Sequence, residues 1–198
     1  MPPKWSNRNL PGALHFVTSA VAHRRPIFTR DKSCQTLIDV LSELRPEWPF
    51  RLIAYVLMPD HFHLIVNPRD GRIRELTAKL KGVASRRIIS LYPEDAFEVR
   101  ADETGRQIRE LWQQSFKDIP LWSDWMIWQK INYIHANPLK ARMVSSAADY
   151  RWSSFRSFYL ADHNPIQVDK DWWWPDDVRK LAVAAKDWSQ ELWTERKR

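Results

Sequence analysis

MPDHFHLIV, residues 58–66, is an apolar run broken by two histidines that flank a phenylalanine. The Pro-Asp pair reads as a turn, and HFHLIV as a strand leaving it. Residues i and i+2 of a strand face the same side, so His61 and His63 aim at one point while Phe62 turns away. Imidazole is the commonest protein metal ligand, and two converging imidazoles are most of a metal site. Asp60, just before them, stands where it could bind or orient a ligand. The same pattern also fits two half-exposed histidines on an edge strand, and at this level both readings stand.

Working outward, FRLIAYVL (50–57) reads as the strand before the turn, and LHFVTSAV (14–21) as an earlier one. Between them, residues 31–45 place Leu37, Val40, Leu41 and Leu44 at helical spacing. Asp31 is the expected N-cap, and Pro46 lies beyond the expected end. Downstream, residues 71–91 form a second helix with Ile73, Leu76, Leu80, Val83 and Ile88 on one side. Residues 92–110 are polar and read as a loop, and LWQQSF (111–116) as a short fourth strand. SDWMIWQKINYIHAN (123–137) reads as a helix that Pro138 ends or kinks. The order β-α-β-β-α-β followed by a helix is that of an α+β, ferredoxin-like sandwich.

Past residue 150 the character changes. YRWSSFRSFYL is aromatic and polar, and DWWWPDD interrupts it. A last helix is expected over 175–195, with Val178, Leu181, Ala185, Trp188 and Leu192 in a stripe. The chain thus divides into a main domain, 1–149, and a Trp-rich helical extension, 150–198, packed on it.

Composition narrows the chemistry. The 198 residues are 44% hydrophobic and 28% charged, as in ordinary globular chains. Four glycines and no GxGxxG or GxxxxGK[ST] argue against a dinucleotide or P-loop enzyme. Cys34 stands alone, so neither an intrachain disulfide nor a cysteine zinc site is available. The N-terminus lacks an apolar signal core, which makes the cytoplasm the expected compartment. A net charge of +7 favours a polyanionic partner, nucleic acid before membrane. Twelve tryptophans supply core, and also flat surfaces on which unpaired bases stack.

Two further groups carry chemistry. In NYIHANP (132–138), Tyr133 and Asn137 are one helical turn apart and share a face with Lys130. An Asn amide oxygen is a neutral metal ligand, and a Tyr hydroxyl becomes a nucleophile when a cation or base assists it. The plain alternative is a tyrosine covering a core and an asparagine opening a turn. The basic residues Arg24, Arg25, Arg72, Lys79, Lys81, Arg86 and Arg87 are either a solvated surface or the walls of a phosphate-lined groove. His15, His23, His135 and His163 have no partner at a recognisable spacing.

YVLMPDHFHLIV (55–66), LWQQSF (111–116), YIHANPLKARMV (133–144) and YRWSSF (150–155) together resemble the small HUH tyrosine transposases. The likeness is strongest to the REP-associated tyrosine transposases of the insertion-sequence-200-like group, and it spans about residues 14–160. The resemblance implies a ferredoxin-like core in which His61, His63 and Asn137 hold a divalent metal, Mg²⁺ or Mn²⁺. Imidazole is softer than Mg²⁺ prefers, which favours Mn²⁺ in vitro. Tyr133 would attack single-stranded DNA near a hairpin, leaving a 5′-phosphotyrosine and a free 3′-OH. Lys130 and the other cations would bind the DNA, at the nucleoid. Relatives act as monomers or as homodimers that exchange the tyrosine, and the sequence is compatible with either. The alternative from another class is a domesticated protein that binds DNA or RNA hairpins on the same fold, with catalysis silent.

Overall fold

The computed structural model describes residues 12–101, 104–162 and 165–172. Four strands, β1 (Leu14–Ala20), β2 (Phe50–Met58), β3 (His61–Pro68) and β6 (Lys117–Leu121), form an antiparallel sheet in the order β2-β3-β1-β6. The Pro59-Asp60 turn joins β2 to β3 directly, pairing Met58 with His61 and Val56 with His63. On its other side β3 pairs with β1, setting His63 against Thr18 and His61 against Ala20. The histidine strand is therefore interior, which excludes the edge-strand reading.

Helices α1 (Asp31–Glu47) and α2 (Ile73–Ile89) cover one face. There Leu41 and Leu44 of α1 and Leu76 and Leu80 of α2 meet Val17, Leu64 and Val66 of the sheet. All of these side chains are buried, and their removal from water is the main force holding the two helices in place. Strand alternation sends the neighbours of Leu64 and Val17, which are His63 and Phe16, to the opposite face. Helix α3 (Asp124–Lys140) packs there against β2 and β3 through Ile127, Ile131 and Ile134. The result is a mixed α/β fold with one antiparallel sheet between two helical layers.

Several boundaries differ from the sequence expectation. Residues 111–116 are not a strand. Leu111 and Trp112 are buried, and a single bridge joins Val21 to Trp112. The Trp112 indole is held between Phe28 and Phe62, 5.6 and 5.3 Å between centroids, and donates to the Lys81 carbonyl at 3.1 Å. The fourth strand is instead KDIPL. Its Pro120 speaks against a strand in sequence terms, but β6 is an edge, where a missing N–H is tolerated. The polar stretch before it holds a small hairpin, β4 (Val99–Ala101) with β5 (Gln107–Arg109).

Helix ends also differ: α2 falls short of the expected 71–91, and the other two run further. Asp31 lies in the first turn of α1, after the N-cap Arg30, and Pro46 lies inside its last turn. Likewise α3 continues through Pro138 to Lys140, closing with Ala141 N–H donating to the Asn137 carbonyl at 2.9 Å. A proline this close to a C-terminus removes one intrahelical bond and interrupts nothing beyond it.

YRWSSF lies along the outer edge of β2. Leu57 N–H donates to the Trp152 carbonyl at 2.8 Å, and Ser154 N–H to the Tyr55 carbonyl at 2.9 Å. The Tyr150 hydroxyl donates to the Leu57 carbonyl at 2.5 Å. This strip covers an edge that would otherwise present unpaired backbone groups, and helix α4 (Phe155–Tyr159) follows it. The expected 175–195 helix, and His163, lie outside the described residues.

Candidate functional site

The face of the sheet beneath α3 gathers the chemically interesting side chains. His61 and His63 project from β3 with ring centroids 4.8 Å apart. Tyr133 of α3 sets its ring edge-on to His63 at 5.3 Å and to Phe16 of β1 at 5.8 Å. Phe16 in turn stacks on His63 at 5.2 Å. These contacts join residues 16, 63 and 133 within one chain, with Tyr133 against His63 and His61 on the far side of His63. Tyr133 keeps 39% of its surface exposed, enough for a ligand to reach it.

Both imidazoles are held at Nδ1. His61 Nδ1 donates to Asp60 Oδ1 at 2.6 Å, and the other Asp60 oxygen takes Arg24 Nη1 at 3.1 Å. The turn carrying Asp60 is fixed by its backbone: Val21 N–H donates to the Asp60 carbonyl at 2.8 Å, and Phe28 N–H to the Pro59 carbonyl at 2.9 Å. His23 and Arg24 take left-handed backbone angles, φ 53° and 55°, to bring Arg24 there. Each such non-glycine residue costs on the order of 1–2 kcal/mol. His63 Nδ1 lies 2.7 Å from Thr18 Oγ1, its partner across the β1–β3 ladder.

His63 is 5% exposed, and its Nε2 is buried with no hydrogen-bond partner. Burial pulls its pKa down to about 3, with the charges of His61, Lys130 and Arg24 adding to the effect and Asp60 opposing it. The ring therefore stays neutral, which is the form that binds metal. An orphaned, neutral, buried imidazole nitrogen beside a second imidazole fits a divalent cation. Among the described residues no group of three or more His, Cys, Asp or Glu side chains is gathered for a metal. Remaining positions on an ion would fall to an amide, to water or to phosphate oxygens, donors that suit Mg²⁺ and Mn²⁺. Asn137 sits one turn beyond Tyr133, and its Nδ2 donates to the Tyr133 carbonyl at 2.7 Å. That bond leaves Oδ1 as the amide's acceptor.

Two lysines flank the tyrosine. Lys130 Nζ lies 5.1 Å from the Phe16 centroid and 5.7 Å from that of Tyr133, and Lys140 Nζ lies 5.3 Å from Tyr133. Lys140 lies beyond Pro138, where a helix is expected to end or kink, although position i+7 lies on the face of Tyr133. Thr18 is not marked by spacing, because only the β1–β3 register brings it to His63. Lys117 joins them at the rim, exposed and opposite Thr18 in the β1–β6 ladder.

The other cations singled out in the sequence are not gathered here. Arg25 donates to the Ala96 carbonyl and stacks on Phe97, 4.5 Å from the ring centroid. Arg72 pairs with Asp70 at 2.7 Å, Lys81 donates to the Gln113 carbonyl at 2.8 Å, and Arg87 grips Glu43 at 2.6 Å. Lys79 and Arg86 are exposed on α2, in the layer across the sheet from the histidines. His15 and His135, without assigned partners in sequence, are buried and bonded, His15 Nδ1 to Asp118 at 2.8 Å and His135 Nε2 with Ser154 Oγ at 2.8 Å.

Comparison with known proteins bears on the family and the fold. A Haemophilus influenzae protein named as a REP-associated tyrosine transposase is 24% identical over 177 residues, covering 85% of this chain and 92% of that protein. The solved structure of a REP-associated tyrosine transposase bound to a REP hairpin shares the fold, with a TM-score of 0.66 at 18% identity. It covers 87% of this chain and 94% of its own. The family model for IS200-like transposases matches residues 12–137, spanning both histidines, Tyr133 and Asn137, and the chain belongs to that family of DNA-processing enzymes.

Proposed function

We propose that the protein is a metal-dependent single-stranded DNA transposase that cleaves and rejoins DNA near hairpins, with Tyr133 as nucleophile acting in cis. The observation that carries this reading is the contact of a half-exposed tyrosine ring with His63, whose buried Nε2 has no partner. The REP hairpin held by the solved relative is the DNA feature we assign to this chain as well. His61, His63 and Asn137 would hold Mg²⁺ or Mn²⁺, which when bound draws charge from the scissile phosphate and eases departure of the 3′-oxygen.

The chain's own groups account for the rest. Lys130 and Lys140 place two ammonium groups beside the Tyr133 ring, where they attract the backbone phosphates and stabilise the phenolate as the hydroxyl proton leaves. The phenolate oxygen then bonds to phosphorus while the P–O3′ bond breaks. The product is a 5′-phosphotyrosine and a 3′-OH. Because a phosphodiester replaces a phosphodiester, the bond energy is retained, and attack by a 3′-OH reverses the step. Packing against Phe16 and His63 fixes the ring, so little orientational freedom is lost at the moment of attack.

The test uses single-stranded hairpin oligonucleotides from the DNA flanking the gene, labelled at the 3′ end, with protein and Mn²⁺. The expected result is label shifted to protein size on a denaturing gel, absent in Tyr133→Phe and in His61→Ala. Hairpin binding without any adduct, across several metals and flanks, would overturn the reading and favour a catalytically silent hairpin-binding protein.

A further inference from the structure

We propose that Thr18 and Asp60, the latter clamped by Arg24, are positioning residues that lock His63 and His61 in the Nδ1–H tautomer, presenting both Nε2 lone pairs to the site. An ionised carboxylate only accepts, so the 2.6 Å contact of Asp60 Oδ1 places the His61 ring proton on Nδ1. Arg24 takes the second oxygen at 3.1 Å, which leaves the carboxylate little freedom to turn. For His63 the partner is a hydroxyl, 2.7 Å away, that could donate or accept. The far side of the ring decides. A proton on the buried, partnerless Nε2 would be an orphaned N–H, a rarer defect in folded proteins than an unused acceptor. The ring proton therefore sits on Nδ1 and is donated to Thr18.

Arg24, read in the sequence as a DNA contact, thus acts on His61 through Asp60. The purpose of the arrangement, a ligand-ready pair of imidazoles, rests on the metal site proposed above. The tautomers themselves do not depend on it.

The test is a long-range proton–nitrogen correlation spectrum of the metal-free full chain with labelled histidine, assigned through His61→Gln and His63→Gln. Both rings are expected as Nδ1–H in the native protein. Thr18→Val should shift His63 toward Nε2–H, and Thr18→Ser should restore it. Asp60→Asn, whose amide can face either way, should release His61. Mn²⁺ affinity, read by electron paramagnetic resonance, should fall about 10–100-fold in Thr18→Val and Asp60→Asn. Hairpin binding in chelator should stay within about twofold in Thr18→Val, which changes no charge. Native rings carrying the proton on Nε2, or variants with unchanged spectra and Mn²⁺ affinity, would overturn the proposal. Tautomers that respond as expected in a protein that binds no Mn²⁺ would support the anchoring and overturn the metal reading instead.

Discussion

His63 and His135 are both neutral because they are buried, the first pulled down to about 3 and the second to about 4. In an unfolded chain both titrate near 6.5. Below that pH the unfolded chain takes up protons that the native rings refuse, so stability falls as pH drops. The loss continues until about pH 4 for His135 and pH 3 for His63. At pH 5 it amounts to at most about 2 kcal/mol per ring. Urea unfolding of metal-free protein at pH 7 and pH 5 checks this. His135→Gln should lose less stability on acidification than the native chain. Equal losses in the two would show that His135 is not the group responsible. The same site carries a structural prediction: Ser154 Oγ accepts from Tyr55 N–H at 3.0 Å and bonds His135. Ser154→Ala strands both groups and should cost about 1–3 kcal/mol in the same assay.

At the scale of the element, α3 carries the proposed nucleophile, and its last turn brings Lys140 to the same tyrosine. Ser123 opens it, accepting from Met126 N–H at 3.2 Å, and three buried isoleucines hold it on the sheet. Positions 130, 133, 137 and 140 then fall on one side by helical spacing. Lys130→Ala and Lys140→Ala should each weaken binding of single-stranded DNA and lower the slope of log affinity against log salt by about 0.7. A titration over several salt concentrations measures it. An unchanged slope in either variant would remove that lysine from the DNA contact. Helix periodicity made Tyr133, Asn137 and Lys130 legible as a set, whereas Lys140 was hidden behind the ordinary rule that proline ends a helix.

For the whole molecule, the sheet separates two basic regions. Lys130, Lys140 and Lys117 lie on the histidine side, while Lys79 and Arg86 lie on α2 across the sheet. We expect the α2 cations to serve only parts of a hairpin outside the reacting strand. Lys79→Ala with Arg86→Ala should therefore alter hairpin affinity but leave the cleavage rate at saturating DNA unchanged, whereas Lys130→Ala should lower that rate. A rate loss in the α2 double variant would place the reacting strand on the other face.

What the residues alone determined about this protein are the properties set by local periodicity. A period of two put His61 and His63 on one side of a strand, and a period of 3.6 put Tyr133 and Asn137 on one side of a helix. The element order followed from the same patterns, except where Pro120 disguised β6, where the buried Trp112 gave residues 111–116 the look of a strand, and where polar residues hid the β4–β5 hairpin. Only the tertiary structure decided which strand lies beside which, and on which face each helix sits. Those choices set Thr18 beside His63, turned Arg24 onto Asp60, and closed Tyr133 onto His63. The physical reason is that lateral strand pairing and layer packing are settled by burial summed over residues far apart in the chain, which no local repeat records.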